Sequence, residues 1–257
     1  MDIDQLVVQL ASEDPKEVLA GVHRVAAESD RLNDSELSEV ASVLCSVFAA
    51  DVTERPEMAE VIEVASAVLV GLGPKIVPTL LWAMQAADVH EILRYARVLG
   101  RMGKSAIDPI MRFQATATEP WVRGAALYAI SKIQDPAIAS LIPDFCAALR
   151  DAHHSPRESA ARALGKVVLR TAPNEVPKDH RDRMFDDLMH HVSDTHPGVR
   201  ARVVSCLGKM AKFGYLDDVQ RERVRKTMKS LLGQDEQFEW DRAFIVRREA
   251  QQALHVL

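Results

Sequence analysis

The chain has 257 residues, with aromatics at 5%, 11 Gly and 12 Pro. An apolar share dominated by Ala, Val, Leu and Ile with so few turn-formers predicts an all-α protein and excludes a sandwich or barrel. The formal charge of −5 is unevenly spread: residues 1–100 carry −10 and residues 101–257 carry +5, so the two parts of the chain have opposite sign.

In chain order, the opening MDIDQLVVQL is acidic and lacks the basic start and apolar core of a signal peptide. No apolar run approaches the ~20 residues that a spanning helix needs, so a soluble, cytoplasmic chain is expected, with no membrane contact. Apolar spacings of three, four and seven then predict about seven helix pairs, over 3–28, 34–71, 74–102, 104–133, 136–171, 178–213 and 216–256. They are read as one domain, 1–257, with irregular acidic units over 1–71 and regular repeats over 72–257. Pro78, Pro109 and Pro143 fall early in the segments KIVPTLLWAM, SAIDPIMRFQ and LIPDFCAALRD, where a missing N–H costs nothing because first-turn donors have no intrahelical partner. TAPNEVPK (171–178) and GQDEQFEWD (233–241) read as turns inside the array. Cys45, Cys146 and Cys206 are odd in number, far apart and set in apolar stretches, which predicts buried free thiols and calls for no oxidising compartment.

The pairs repeat one pattern. SPRESAARALGK and HPGVRARVVSCLGK align on Gly165 and Gly208, which places Arg157 with Arg200, Ala160 with Val203, Ala163 with Cys206 and Leu164 with Leu207. The same register gives Arg123, Ala126, Ala129 and Ile130 in one further copy, and Arg247, Ala250, Ala253 and Leu254 in another. In EILRYARVLG it gives Tyr95, Val98, Leu99 and Gly100, and fainter copies precede it. Registered positions 71, 100, 131, 165 and 208 are unequally spaced, by 29 to 43 residues, as in a helical solenoid with variable turns. Small residues on the apolar face let a neighbouring helix approach closely.

With these residues the chain resembles the HEAT-repeat proteins, α-solenoids related to armadillo arrays. The resemblance implies a right-handed α-solenoid, strongly from about residue 70, and a ladder of turn aspartates with arginines six residues on: Asp151 with Arg157, Asp194 with Arg200 and Asp241 with Arg247. The copy with Arg123 departs, having Glu119 four residues earlier, so the ladder is expected only in the last three units. The fold implies no particular function.

In resembling solenoids the second helix of each pair lines a concave face. Its exposed positions here give Arg97 and Arg101, Tyr128 and Lys132, Arg162 and Lys166, and Ser205 and Lys209, with Arg94 and Arg202 one step round and Glu158 on the flank. Two readings stand: an ordinary solvated helix face, or a strip whose focused positive field holds an acidic segment of a protein partner, with Tyr128 as a contact within it. The second makes the chain a non-enzymatic interaction scaffold. The same strip offers a second guest, a nucleic-acid backbone, although pI near 6 and scarce aromatics count against it. QRERVRKTMKS (220–230) interleaves its charges with Val224 and Met228 like an ordinary outer helix.

For chemistry, His153, His154 and His196 lie in turns of successive repeats beside Asp151 and Asp194 and offer imidazole and carboxylate to a metal, but at spacings of no compact metal motif. The lone His90–Glu91 pair cannot supply the two-metal site of the HEAT-like deoxyhypusine hydroxylases, and Trp82, Trp121 and Trp240 are too dispersed for the cleft of the HEAT-like DNA glycosylases. RESAARALG is compatible with bilin lyases, which leaves a lyase-like enzyme or enzyme subunit as a further alternative. No phosphate loop, nucleophile elbow or His-Glu-x-x-His helix occurs, and no catalytic residue or cofactor is assigned.

Overall fold

The computed structural model describes residues 2–236 and 239–257, so two positions of the turn predicted over 233–241 lie outside the described residues. Fourteen α-helices run in sequence among them. The first two pairs are α1 (Ile3–Leu10) with α2 (Pro15–Glu28) and α3 (Asp34–Cys45) with α4 (Met58–Gly71). Next come α5 (Val77–Ala86) with α6 (Val89–Arg101) and α7 (Ile107–Thr116) with α8 (Pro120–Lys132). The last three are α9 (Ile142–Ala148) with α10 (His154–Arg170), α11 (Lys178–His190) with α12 (Pro197–Lys212), and α13 (Asp218–Leu231) with α14 (Phe244–Leu254). The predicted pairs are found at the predicted places.

Local signals set the boundaries. Asn33 with Glu36, Asp88 with Glu91, and Asp217 with Gln220 form reciprocal capping boxes at the starts of α3, α6 and α13, each satisfying first-turn N–H groups that would otherwise be orphaned. Pro15, Pro120 and Pro197 open α2, α8 and α12, and Pro78, Pro109 and Pro143 sit in the first turns of α5, α7 and α9. Gly73, Gly103 and Gly214 end their units with positive φ, a backbone that side-chain-bearing residues rarely adopt.

The helices form two compact units, one up to Thr118 and one from Glu119 to Leu257, a division that does not coincide with the change in repeat regularity at residue 71. In the first, α2, α4 and α6 pack successively, with α3, α5 and α7 outside them. Tyr95, Val98 and Leu99 of α6 are all buried as their register predicts, and Ile92, which stands where later copies have the ladder arginine, is buried too. In the second, α8, α10, α12 and α14 pack in one row, backed by α9, α11 and α13. Here Ala126, Ala129, Ile130, Ala160, Ala163, Leu164, Val203, Cys206, Leu207, Ala250 and Ala253 are buried, and only Leu254 of the registered set stays half-open. Each Leu or Ile so buried contributes about 1.5–3 kcal/mol.

The small residues of the register are contact points of the row. A Cβ on Gly124 of α8 would lie 2.1 Å from the Ser155 hydroxyl and 3.0 Å from its carbonyl carbon, and one on Gly208 of α12 would lie 2.9 Å from Cβ of Ala253. Glycine there lets the backbones approach at a distance no side chain would permit. Cys45, Cys146 and Cys206 are free and buried, and burial pushes each thiol up to about 12. Among the described residues no single helix is long and apolar enough to cross a membrane.

Candidate functional site

Two polar constructions run along the row of α8, α10, α12 and α14. The first is the Asp–Arg ladder, and it differs from the expectation. Each arginine binds its own turn through carbonyl oxygens, not through the carboxylate: Arg157 Nη1 donates to Asp151 O and Ala152 O, at 3.0 and 3.1 Å. Its Nε and Nη2 point forward and grip Asp194 of the next turn, both at 2.8 Å. Arg200 does the same, with Nη1 on Asp194 O and Thr195 O and a two-pronged grip on Asp241 at 2.6 and 2.8 Å. Because the carboxylate belongs to the following turn, Arg123 joins the ladder despite Glu119, holding Asp151 at 2.8 and 3.1 Å. The ladder therefore begins one repeat earlier than its sequence pairs suggest.

Every ladder aspartate also accepts a main-chain N–H at the start of its helix, from His153, His196 or Ala243, at 2.8–2.9 Å. Burial pushes these carboxyls up, but the arginine and main-chain hydrogen bonds with the attendant charge attraction overcome it, so Asp151, Asp194 and Asp241 all lie below the usual carboxylate value.

The second construction is the basic wall. In the second unit Lys132, Arg162, Lys166 and Lys209 come together across α8, α10 and α12. Lys132 Nζ lies 4.7 Å and the Arg162 guanidinium 5.3 Å from the centre of the Tyr128 ring, so Tyr128 carries two cations on its π system. Lys209 lies across Gly165, its Nζ 3.3 Å from where a Cβ would stand. Burial first, then the like charges of Arg170, Lys209, Lys132 and Arg162, depress Lys166 below the ordinary lysine value. Burial followed by Arg202 lowers Arg162. Glu158 is the counter-charge, 3.4 Å from Arg162 and 3.3 Å from Arg202. Glu158, on the flank of the strip, thus pairs with two of its cations. Arg170, which sequence reasoning missed, contributes field, but its Nη1 is committed to Ser131 O and Ile133 O.

In the first unit Arg97 and Arg101 of α6 are exposed. Arg94 is turned away from such a role: its Nη1 donates to Phe48 O and Ala50 O and closes the end of a 3₁₀ turn. The expectation that it joins a strip is corrected by this bond, since carbonyls left unpaired beyond a helix end draw in the nearest guanidinium.

The histidines do come together, as rings in contact. His153 and His154 have centroids 4.4 Å apart, and His154 and His196 stack at 3.8 Å with planes 11° apart. His153 Nδ1 accepts from Ser155 N at 3.2 Å and caps α10. Face-to-face rings do not converge their nitrogens on one point, and among the described residues no three His, Cys, Asp or Glu side chains form a metal-binding group. His90 is exposed, and Glu91 serves the α6 capping box.

Residues 77–165 match the family model described as HEAT repeats. No curated protein matches the chain in sequence. Among solved structures, the archaeal HEAT-like repeats protein from Thermococcus onnurineus NA1 is similar over 100% of this chain and 97% of its own, at 10% identity and TM-score 0.58. Importin beta is similar over 99% of this chain and 30% of its own, at 16% identity and TM-score 0.58. The complex of CpcE and CpcF of phycocyanin lyase from Nostoc sp. PCC7120 is similar over 69% of this chain and 96% of its own, at 18% identity and TM-score 0.53. Residues 77–165 thus carry HEAT repeats, and the chain as a whole has the α-solenoid fold of these helical-repeat structures.

Proposed function

We propose that the protein is a non-enzymatic interaction scaffold whose basic wall binds an acidic segment of a protein partner. The observation that carries this reading is the crowding of Lys132, Arg162, Lys166 and Lys209 on one partly buried wall, where burial first and the neighbouring cations second hold Lys166 below the ordinary lysine value, with Glu158 beside Arg162 and Arg202. Holding like charges on a packed helical wall costs free energy, which an incoming carboxylate-rich segment recovers. Tyr128, half-buried between Lys132 and Arg162, adds an apolar face on which such a segment can rest. Arg97 and Arg101 present the same chemistry on the first unit.

The test is titration of the protein with a synthetic Asp/Glu-rich peptide, followed by fluorescence anisotropy. Lys132→Glu with Lys166→Glu is expected to weaken binding by at least about tenfold, at unchanged helical content, because each reversal replaces an attraction by a repulsion. Equal binding by the reversed variant sinks the reading. An oligonucleotide of equal charge that displaces the peptide, with an affinity falling steeply with salt, moves the reading to nucleic-acid backbone.

A further inference from the structure

On α10, Lys166 stands one turn from Arg162 and one turn from Arg170, so the three side chains lie one above another on a single face. α8 and α12 pack on either side of α10 and bring Lys132 and Lys209 to that face, with Lys209 lying across Gly165, the residue before Lys166. Both neighbouring helices of the row are thus present around Lys166, and its surroundings do not depend on either end of the chain.

Lys166 is half-buried and forms no hydrogen bond or ion pair among the described residues. Glu158 pairs with Arg162 and Arg202 and is eight residues back on α10, about 12 Å along the helix axis. An ammonium in this place loses part of its hydration and faces Arg170, Lys209, Lys132 and Arg162; burial first and these charges second hold it below the ordinary lysine value. The free amine, the form with a nucleophilic lone pair, is thereby favoured, which is how a lysine beside other cations becomes reactive near neutral pH. The same cations draw an anionic reagent to the spot. A site that both frees an amine and gathers anions suits an activated acyl group carried on a phosphate.

We propose that Lys166 is an acylation site whose donor is an acyl phosphate. Lys166 Nζ attacks the carbonyl carbon and forms the C–N bond of an amide. The C–O bond to phosphate breaks, its electron pair leaves with inorganic phosphate, and the surplus proton on nitrogen passes to water, with no change of oxidation state. The neighbouring cations meet the charge that grows on the departing phosphate. The amide is neutral, so the wall loses one positive charge. A weaker hold on an acidic segment follows, a consequence that rests on the binding role proposed above, whereas the acylation itself does not.

The test incubates the full chain with acetyl phosphate at pH about 8 and follows each lysine by peptide mass spectrometry. Lys75 and Lys178 are internal references: their side chains are 61% and 78% exposed, but each sits beside a carboxylate, Asp34 or Asp182, which repels the donor. Lys166 is expected to react at least about fivefold faster than either, despite its lesser exposure. Lys132→Gln with Lys209→Gln should slow Lys166 by about threefold or more at unchanged helical content, since amine release and anion capture both draw on those charges. The lead should be smaller with p-nitrophenyl acetate, an uncharged donor, and should vanish in urea. Lys166 no faster than Lys75 and Lys178 overturns the proposal, as does an undiminished lead in urea or in the double variant; equal leads with both donors overturn the anionic donor. Acetylated protein that binds the acidic peptide as tightly as unmodified protein removes the loss of binding alone. A chain that acylates at Lys166 but never binds the peptide removes the binding role and leaves the site.

Discussion

Removing Asp194 is expected to destabilise the second unit far more than removing an exposed carboxylate destabilises the first. Asp194 accepts three hydrogen bonds, from Arg157 Nε and Nη2 and from His196 N, each at 2.8 Å. The side chains of the pair are 5% and 12% exposed. Asp194→Ala leaves Arg157 with its two carbonyl anchors only, strands the open edge of its charge in a nearly dry place, and removes the acceptor of the His196 N–H at the turn before α12. Breaking such a pair by deleting one partner costs about 3–5 kcal/mol, a range that also spans the loss of charge-assisted bonds at about 1.5–3 kcal/mol each with partial rehydration. The comparison is Asp34→Ala, whose partner Lys75 sits at 2.7 Å but whose own side chain is 73% exposed; an exposed pair contributes at most about 1 kcal/mol. Hydrogen exchange of α10 and α12 amides measures the first loss and that of α3 and α5 the second, since each reports opening of its own region. If Asp194→Ala costs no more than Asp34→Ala, the ladder is decoration and the argument from its burial fails.

Acid should act in two stages. His154 sits below its ordinary value, held there by burial first and then by His196 and His153; a depressed pKa means the stability it contributes is complete above pH about 6.5 and is lost as pH falls from there. His154→Gln should flatten that part of a urea-midpoint profile against pH. The ladder aspartates, also depressed, give a second loss as pH falls through and below about 3.8, which Asp194→Asn should reduce. Gly124→Ala should cost about 1–3 kcal/mol, because Ser155 backbone stands in the way. Gly165→Ala meets mainly the movable end of Lys209 and should be neutral or up to about 1 kcal/mol stabilising through helix propensity; thermal melts of both variants check the pair. A colorimetric thiol reagent should find Cys45, Cys146 and Cys206 unreactive until urea unfolds the chain, since burial raises each thiol to about 12.

The amino-acid sequence by itself determined the helix pairs, their first-turn prolines, the buried small-residue face and the buried free thiols. All of these follow from the 3.6-residue period and from backbone chemistry within a few residues, which is local information. Two register positions, three before and one after the registered residue, place Tyr128 with Arg162 and Lys132 with Lys166 and Lys209, because the stack of repeats sets equal register positions side by side. Tertiary structure decided what long side chains do once there. Arg94 and Arg170 are drawn to carbonyls of another turn, Glu158 reaches two repeats, and Arg123 finds Asp151 across the packed row although its own turn lacks the matching aspartate. An arginine has several rotatable bonds and reaches acceptors supplied by residues dozens of positions away. Its partner is therefore fixed by how the helices pack, not by the spacing of letters along the chain.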